Sequence, residues 1–175
     1  MQYRTLGRTG LHVSLLGLGT GGARMMGQAQ DMTQREQDRL VRRCLDLGIN
    51  LFDTSAIYDN SETILGRALE GVPRESYVLS TKWGFENDGK IADLDQGLIN
   101  AVERSLRRLR TEYVDIMMFH GLQSHHYHEV VERFYPVMQR LQAAGKIRYS
   151  GFSTRYRHDP SQAGALTGLQ AHPEL

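Results

Sequence analysis

Ile49-Asn50-Leu51-Phe52-Asp53-Thr54-Ser55-Ala56-Ile57-Tyr58 is the stretch that decides the fold. A short apolar run ends in an acid, and a tyrosine follows five residues later. Residues 49–52 read as a buried strand, and the residues after Phe52 as the loop leaving its carboxyl end. In a parallel β/α architecture those carboxyl ends share one mouth, and chemistry sits there. Asp53 and Tyr58 are therefore the first two candidate functional side chains.

The flanks repeat this unit. Upstream, residues 2–6 and 11–14 bracket Gly7-Arg8-Thr9-Gly10 and read as a β-hairpin. Residues 15–18 form a short apolar strand closing in Gly19-Thr20-Gly21-Gly22, and an irregular loop runs to about Asp31. Thr33 and Glu36 have capping-box spacing. The helix they open carries Leu40, Val41, Cys44, Leu45 and Leu47 on its apolar side and ends at Gly48. Downstream, Ser61 reads as the cap of a second helix with Ile64, Leu65, Ala68 and Leu69 inward, stopped by Gly71 and Pro73. A strand over 77–81 ends in Lys82. Asp93 opens a third helix with Leu94, Leu98, Val102, Leu106 and Leu109 on one stripe. Arg104, Arg107, Arg108 and Arg110 are interspersed with acids and read as a solvated face. The strand over 114–119 ends in His120. A fourth helix over about 128–144 stops at Gly145, and a strand over 147–152 ends in Ser153-Thr154. Asp159-Pro160 suits a cap and first turn of a fifth helix, which Gly164 and Gly168 weaken. Strand and helix alternate about every thirty residues, the pattern of parallel βαβ units.

The chain has 175 residues, enough for one domain, with 40% hydrophobic and 23% charged residues. A net charge of +1 gives no reason to expect nucleic acid or an acidic membrane as partner. The single cysteine, Cys44, excludes an intrachain disulfide and a cysteine-based metal cluster. No signal-like segment is evident at the N-terminus, and no apolar run approaches the roughly 20 residues of a membrane span. A cytoplasmic location is the default expectation.

Successive strands end in reactive side chains: Asp53 with Tyr58 beyond it, then Lys82, then His120. Singly, each has a bland explanation as a turn acid, a loop aromatic, a solvated lysine or a hydrogen-bonded histidine. Together they suit proton delivery to a carbonyl. An ammonium beside a phenol favours the phenolate and is expected to lower the ordinary pKa of about 10. Lys82 can do this for Tyr58, Asp53 can hold Lys82, and His120 can orient the carbonyl oxygen. No side chain donates hydride, so this chemistry implies a nicotinamide cofactor.

These residues stand in ordered motifs. They are Phe52-Asp53-Thr54-Ser55-Ala56-Ile57-Tyr58, Ser61-Glu62 with Leu65-Gly66-Arg67-Ala68-Leu69, and Ser80-Thr81-Lys82. Ser105-Leu106-Arg107-Arg108-Leu109 before Tyr113-Val114-Asp115, then His120, and Gly145-Lys146-Ile147-Arg148-Tyr149 with Gly151-Phe152-Ser153 complete them. In this the chain resembles the aldo-keto reductases. The resemblance implies a (β/α)8 TIM-type barrel closed at its base by an N-terminal hairpin. It also implies reduction of aldehydes or ketones with NADPH, sometimes NADH, and no metal. It makes Tyr58 the general acid, supported by Asp53 and Lys82, with His120 orienting the substrate. Gly19 and Thr20 match positions beside the nicotinamide ribose, with Asp53 near them. Ser153 and Thr154 match positions at the carboxamide, although many members have asparagine where Thr154 stands.

An eight-unit barrel takes about 250 residues, and residues 1–175 supply about five units. The expectation is one partial barrel domain, truncated after the fifth unit, with a hairpin cap over 1–14 and β/α units over 15–175. A truncated chain is expected to have impaired reductase activity, or to be completed by another chain or by a second copy of itself. Three other readings stand beside this one. Gly17-Leu18-Gly19-Thr20-Gly21-Gly22 fits G-x-G-x-x-G, but no helix follows it directly and Asp53 comes too late for a dinucleotide fold. His120, His125, His126 and His128 form a cluster that reads as a polar loop rather than a zinc site. The third is a non-catalytic, cofactor-sensing or regulatory subunit on the same scaffold.

Overall fold

The computed structural model describes residues 1–84, 94–155, 157 and 159–173. Strands β1 (Tyr3–Thr5) and β2 (His12–Ser14) pair antiparallel around a 3-10 turn, Gly7–Thr9. The chain then runs β3 (Leu18–Gly19), α1 (Gln34–Asp46), β4 (Leu51–Asp53), α2 (Ser61–Ala68), β5 (Val78–Trp83), α3 (Leu94–Leu109) and β6 (Val114–Phe119). It continues through α4 (Tyr127–Glu129), a π turn (Val130–Phe134), α5 (Tyr135–Ala143), β7 (Ile147–Phe152) and α6 (Ala163–Ala171). The π turn precedes Pro136, whose missing N–H removes one helical bond, and Tyr135 N–H reaches back to Val130 O.

Strands β3 to β7 lie side by side in sequence order, and every neighbouring pair is parallel. Sequential order with one hand of crossover puts the helices on one face of the sheet, as in a β/α barrel and unlike a doubly wound sheet. Alternation along each strand then sorts the residues. Phe52, Leu79, Met117 and Phe119 point outward into the main core, where they join Leu65, Leu98, Val102, Phe134 and Met138 of the helices. Trp83 is fully buried there, its ring 5.2 Å from that of Phe134. On the other face, Leu51, Val78, Ile116 and Tyr149 meet Leu11 and Val13 of the hairpin. The hairpin therefore covers the amino-terminal end of the sheet. Tyr149 donates its hydroxyl to Thr9 O, and Tyr3 donates to Gly48 O at 2.8 Å. Asp115, almost fully buried, binds this end together by accepting from Arg74, Arg148 and Leu79 N.

Several sequence expectations shift. The Thr33–Glu36 capping box forms. At about 100° per residue, however, Leu40 and Leu47 lie off the side of α1 that holds Val41 and Cys44, so both are exposed and Gln37 is buried instead. Ser61 is the first residue of α2 rather than its cap, because its hydroxyl donates to Thr20 O and accepts from Gln28 Nε2. The last helix starts at Ala163, not at Asp159-Pro160; Asp159 still accepts from Ala165 N at 3.0 Å. Arg108 leaves the solvated face to pair with Glu62, which is 1% exposed. Gly66 makes this possible, since a Cβ there would stand 2.3 Å from Arg108 O. Asp93 lies outside the described residues.

Candidate active site

The alternation that puts Leu51, Val78 and Ile116 against the hairpin brings Asp53, Ser80, Lys82 and His120 to the same face at the other end. One face of β4, β5 and β6 is thus apolar at its start and reactive at its end. A cavity of about 420 Å³ between α2 and α3, bordered by Gly66, Leu69, Arg74 and Tyr77, lies at the opposite end of the sheet. Size alone does not locate this site.

Lys82 is buried at 5% exposure, and its ammonium donates to Asp53 Oδ2 at 2.6 Å and to Thr54 O at 2.8 Å. Ser80 donates to the other Asp53 oxygen at 3.0 Å. The Lys82 ammonium also lies 5.2 Å from the centre of the Tyr58 ring. Tyr58 meets His120 edge to face, with ring centres 5.6 Å apart. His120 Nδ1 is 2.9 Å from Ser55 Oγ. Behind Tyr58, Gly21 is in close contact: a Cβ there would stand 2.7 Å from the ring. The loop carrying Tyr58 is fixed at its base by Thr54 N to Ser80 O and Tyr58 N to Ser55 O. The four side chains therefore share one rim, as their positions at the strand ends imply.

Electrostatics differ from the expectation in one respect. The Tyr58 pKa is raised, first by burial and then by the Asp53 charge. The Lys82 ammonium, 5.2 Å from the ring centre, does not reverse this. The phenol is held protonated. His120 is pushed down to about 4, chiefly by burial and then by the Lys82 and Arg155 charges, so it is neutral at neutral pH.

The positions matched to a cofactor divide. Gly19 pairs with Asp53 in the ladder, and open space surrounds the place where its Cβ would be. That suits the flat approach of a nicotinamide. Ser153 Oγ accepts from Gly121 N at 3.0 Å, leaving its hydroxyl proton for another acceptor. Thr20 is fully buried and its hydroxyl has no partner among the described residues, while its backbone ties Asp53 O to Ser61. Thr154 gives its proton to Gln162 Oε1 at 2.6 Å. Of the histidine cluster, His126 Nδ1 accepts from Gln123 N and His128 pairs with Glu132. Among the described residues no group of three or more His, Cys, Asp or Glu could hold a metal ion. No helix among them is long and apolar enough to cross a membrane.

Three contributors were missed from sequence. Ser80 lies two residues before Lys82, and strand alternation could have found it. Ser55 and Gly21 sit in loops, where no period predicts which way a side chain points.

Comparison with known proteins gives the family of this fold. The model of the Aldo/keto reductase family matches residues 17–166. L-galactose dehydrogenase of Arabidopsis thaliana is 34% identical over 158 residues, 87% of this chain and 48% of that protein. A Schizosaccharomyces pombe protein bearing the name voltage-gated potassium channel subunit beta is 34% identical over 167 residues, 89% and 48% of the two chains. An aldo-keto reductase of Klebsiella pneumoniae solved with NADPH superposes with a TM-score of 0.72 at 31% identity, covering 98% of this chain and 54% of its own. The holo form of an aldo-keto reductase from Bacillus halodurans gives 0.72 at 34% identity, covering 88% and 50%. The chain spans about half the length of the curated relatives it matches. The parallel strands in sequence order, the hairpin beneath them and the match over residues 17–166 lead to one family: this chain belongs to the aldo/keto reductases.

Proposed function

We propose that the rim of Asp53, Tyr58, Lys82 and His120 protonates the oxygen of a small aldehyde or ketone during its reduction with NADPH or NADH. The observation that carries this reading is the shared rim: a protonated phenol meets a neutral imidazole edge to face, over an ammonium bound to a carboxylate. A bound nicotinamide would supply the hydride; Gly19, with open space beside it, and Ser153, with its hydroxyl proton unused by Gly121, would help hold it, and Thr20, Asp53 and Thr154 would support them. As negative charge grows on the carbonyl oxygen, Tyr58 gives it a proton. The phenolate left behind gains the Lys82 ammonium as counter-charge, and Asp53 keeps that ammonium in place. His120, neutral, orients the oxygen before transfer. The raised Tyr58 pKa fits an acid that keeps its proton until substrate arrives.

Residues 1–175 by themselves form a partial barrel in this reading, cytoplasmic, with turnover impaired unless further chain, a second copy or another protein completes the sheet. The test is NADPH oxidation by the purified chain with an aromatic aldehyde, with and without Tyr58→Phe. Turnover that Tyr58→Phe abolishes supports the assignment; turnover that survives it removes Tyr58 as the acid. A second reading is a cofactor-binding regulatory subunit, favoured by likeness to the protein named as a potassium channel subunit beta. Tight NADPH binding without turnover would support it.

A further inference from the structure

Among the buried hydroxyls that the proton-delivery scheme leaves without a task, Ser55 touches a reactive side chain. Ser55 is fully buried, and its Oγ stands 2.9 Å from His120 Nδ1. We propose that Ser55 is a positioning residue that donates its hydroxyl proton to His120 Nδ1 and so holds His120 with its proton on Nε2, the nitrogen free to face a substrate oxygen.

The argument is a count of protons and acceptors. His120 is neutral at neutral pH, so it carries one N–H, and its two nitrogens have opposite roles. Ser55 Oγ has one proton and two acceptor sites. Ile57 N points at Oγ from 3.4 Å and takes one of the two acceptor sites, so the assignment turns on where the hydroxyl proton goes. The hydroxyl proton then has two candidate acceptors, His120 Nδ1 at 2.9 Å and Lys82 O at 3.4 Å. Hydroxyl hydrogen bonds to oxygen ordinarily span about 2.5–3.0 Å, so the Lys82 carbonyl is beyond good range. That carbonyl also already receives Ala56 N–H. Nδ1 is the acceptor left within ordinary length. Accepting there makes it the unprotonated nitrogen and places the proton on Nε2. The opposite assignment would make Nε2 an acceptor, which repels a carbonyl oxygen and cannot orient it. This role rests on the carbonyl-reduction reading, but the tautomer itself does not.

Nitrogen-15 NMR of His120 in the purified 175-residue chain, without cofactor or substrate, tests the tautomer directly. The wild type is expected to show Nδ1 in the unprotonated range and Nε2 in the protonated range. Ser55→Ala removes one atom from a packed site, and it is expected to let the Nδ1-protonated form appear, moving the ratio about 5-fold, near the worth of one hydrogen bond. Ser55→Thr restores the hydroxyl and should restore the wild-type spectrum. A wild-type His120 protonated on Nδ1, or a Ser55→Ala spectrum identical to wild type, overturns the proposal. Reductase assays of the same proteins are read separately. A correct tautomer in a chain without turnover leaves the assignment of Ser55 standing, and turnover that survives Tyr58→Phe sinks the reductase reading without touching that assignment. In a chain with turnover, Ser55→Ala is expected to lower kcat more than it raises KM.

Discussion

Glu62→Ala should destabilise this protein far more than an acid at the first turn of a helix normally would. Glu62 is 1% exposed and accepts two hydrogen bonds of 2.6 Å, from Thr81 Oγ1 and Arg108 Nε. Thr81 is itself fully buried, so losing its acceptor leaves an unpaired hydroxyl, which costs about 1–3 kcal/mol. Arg108 loses less, about 1 kcal/mol, because its side chain is 33% exposed and keeps Ser105 Oγ. The total is about 3 kcal/mol. With a urea dependence of about 2 kcal/mol per molar for a chain of this size, the unfolding midpoint should fall by about 1.5 M. Urea titration followed by far-ultraviolet circular dichroism measures it. A double-mutant cycle with Arg108→Met should return a coupling of roughly 1 kcal/mol. A midpoint shift below about 0.5 M, or additive single changes, would refute the claim that this buried triad ties α2, β5 and α3 together.

Acid should expose His120. Its folded pKa of about 4 lies below the unfolded value of about 6.5, so the unfolded chain binds more protons in that window. Stability is therefore lost as pH falls from about 6.5 to about 4, by on the order of 2 kcal/mol after screening, and His120→Gln should flatten that part of a midpoint-against-pH curve. Gly21→Ala should displace the Tyr58 ring, whose edge lies 2.7 Å from the added carbon. Any turnover or cofactor binding should suffer while the urea midpoint moves little. Gly66→Ala should do the reverse, costing about 1–3 kcal/mol of stability through the clash with Arg108 O at 2.3 Å, with the ring contact between Tyr58 and His120 unchanged by NMR.

What was legible in the sequence was whatever repeats. The strands could be located because apolar runs recur at a fixed spacing, and alternation explains why Asp53, Lys82 and His120 reach one face. What was not legible depended on long-range pairing. Arg108 has the composition of a solvated residue, and only the closeness of α2 and α3 at Gly66 turns it toward Glu62. Ser61 has the composition of a cap, and only the neighbouring loop, through Thr20 and Gln28, diverts its hydroxyl. The sign of the Tyr58 pKa shift was missed for a related reason. Burial of the ring, which only the assembled mouth provides, is the largest cause, and the Asp53 charge adds to it.

The hairpin beneath the sheet has a consequence for the order of folding. Residues 3–14 are made first, yet part of their lasting contact is with strands that come much later. Val13 and Leu11 need Val78 and Tyr149, and Thr9 O receives the Tyr149 hydroxyl 140 positions downstream. A contact closing so long a loop cannot reward the chain until the loop is drawn in. Isolated two-stranded hairpins are only marginally stable in water. Bonds of His12 and Ser14 with Asn50 can form early, but the apolar seat of Leu11 and the Thr9 bond are complete only once β7 is laid down, so the hairpin closes last as a latch. In refolding, hydrogen-exchange protection at Val13 should rise together with that of β7 and after that of β5 and β6, whose contacts are nearer in sequence.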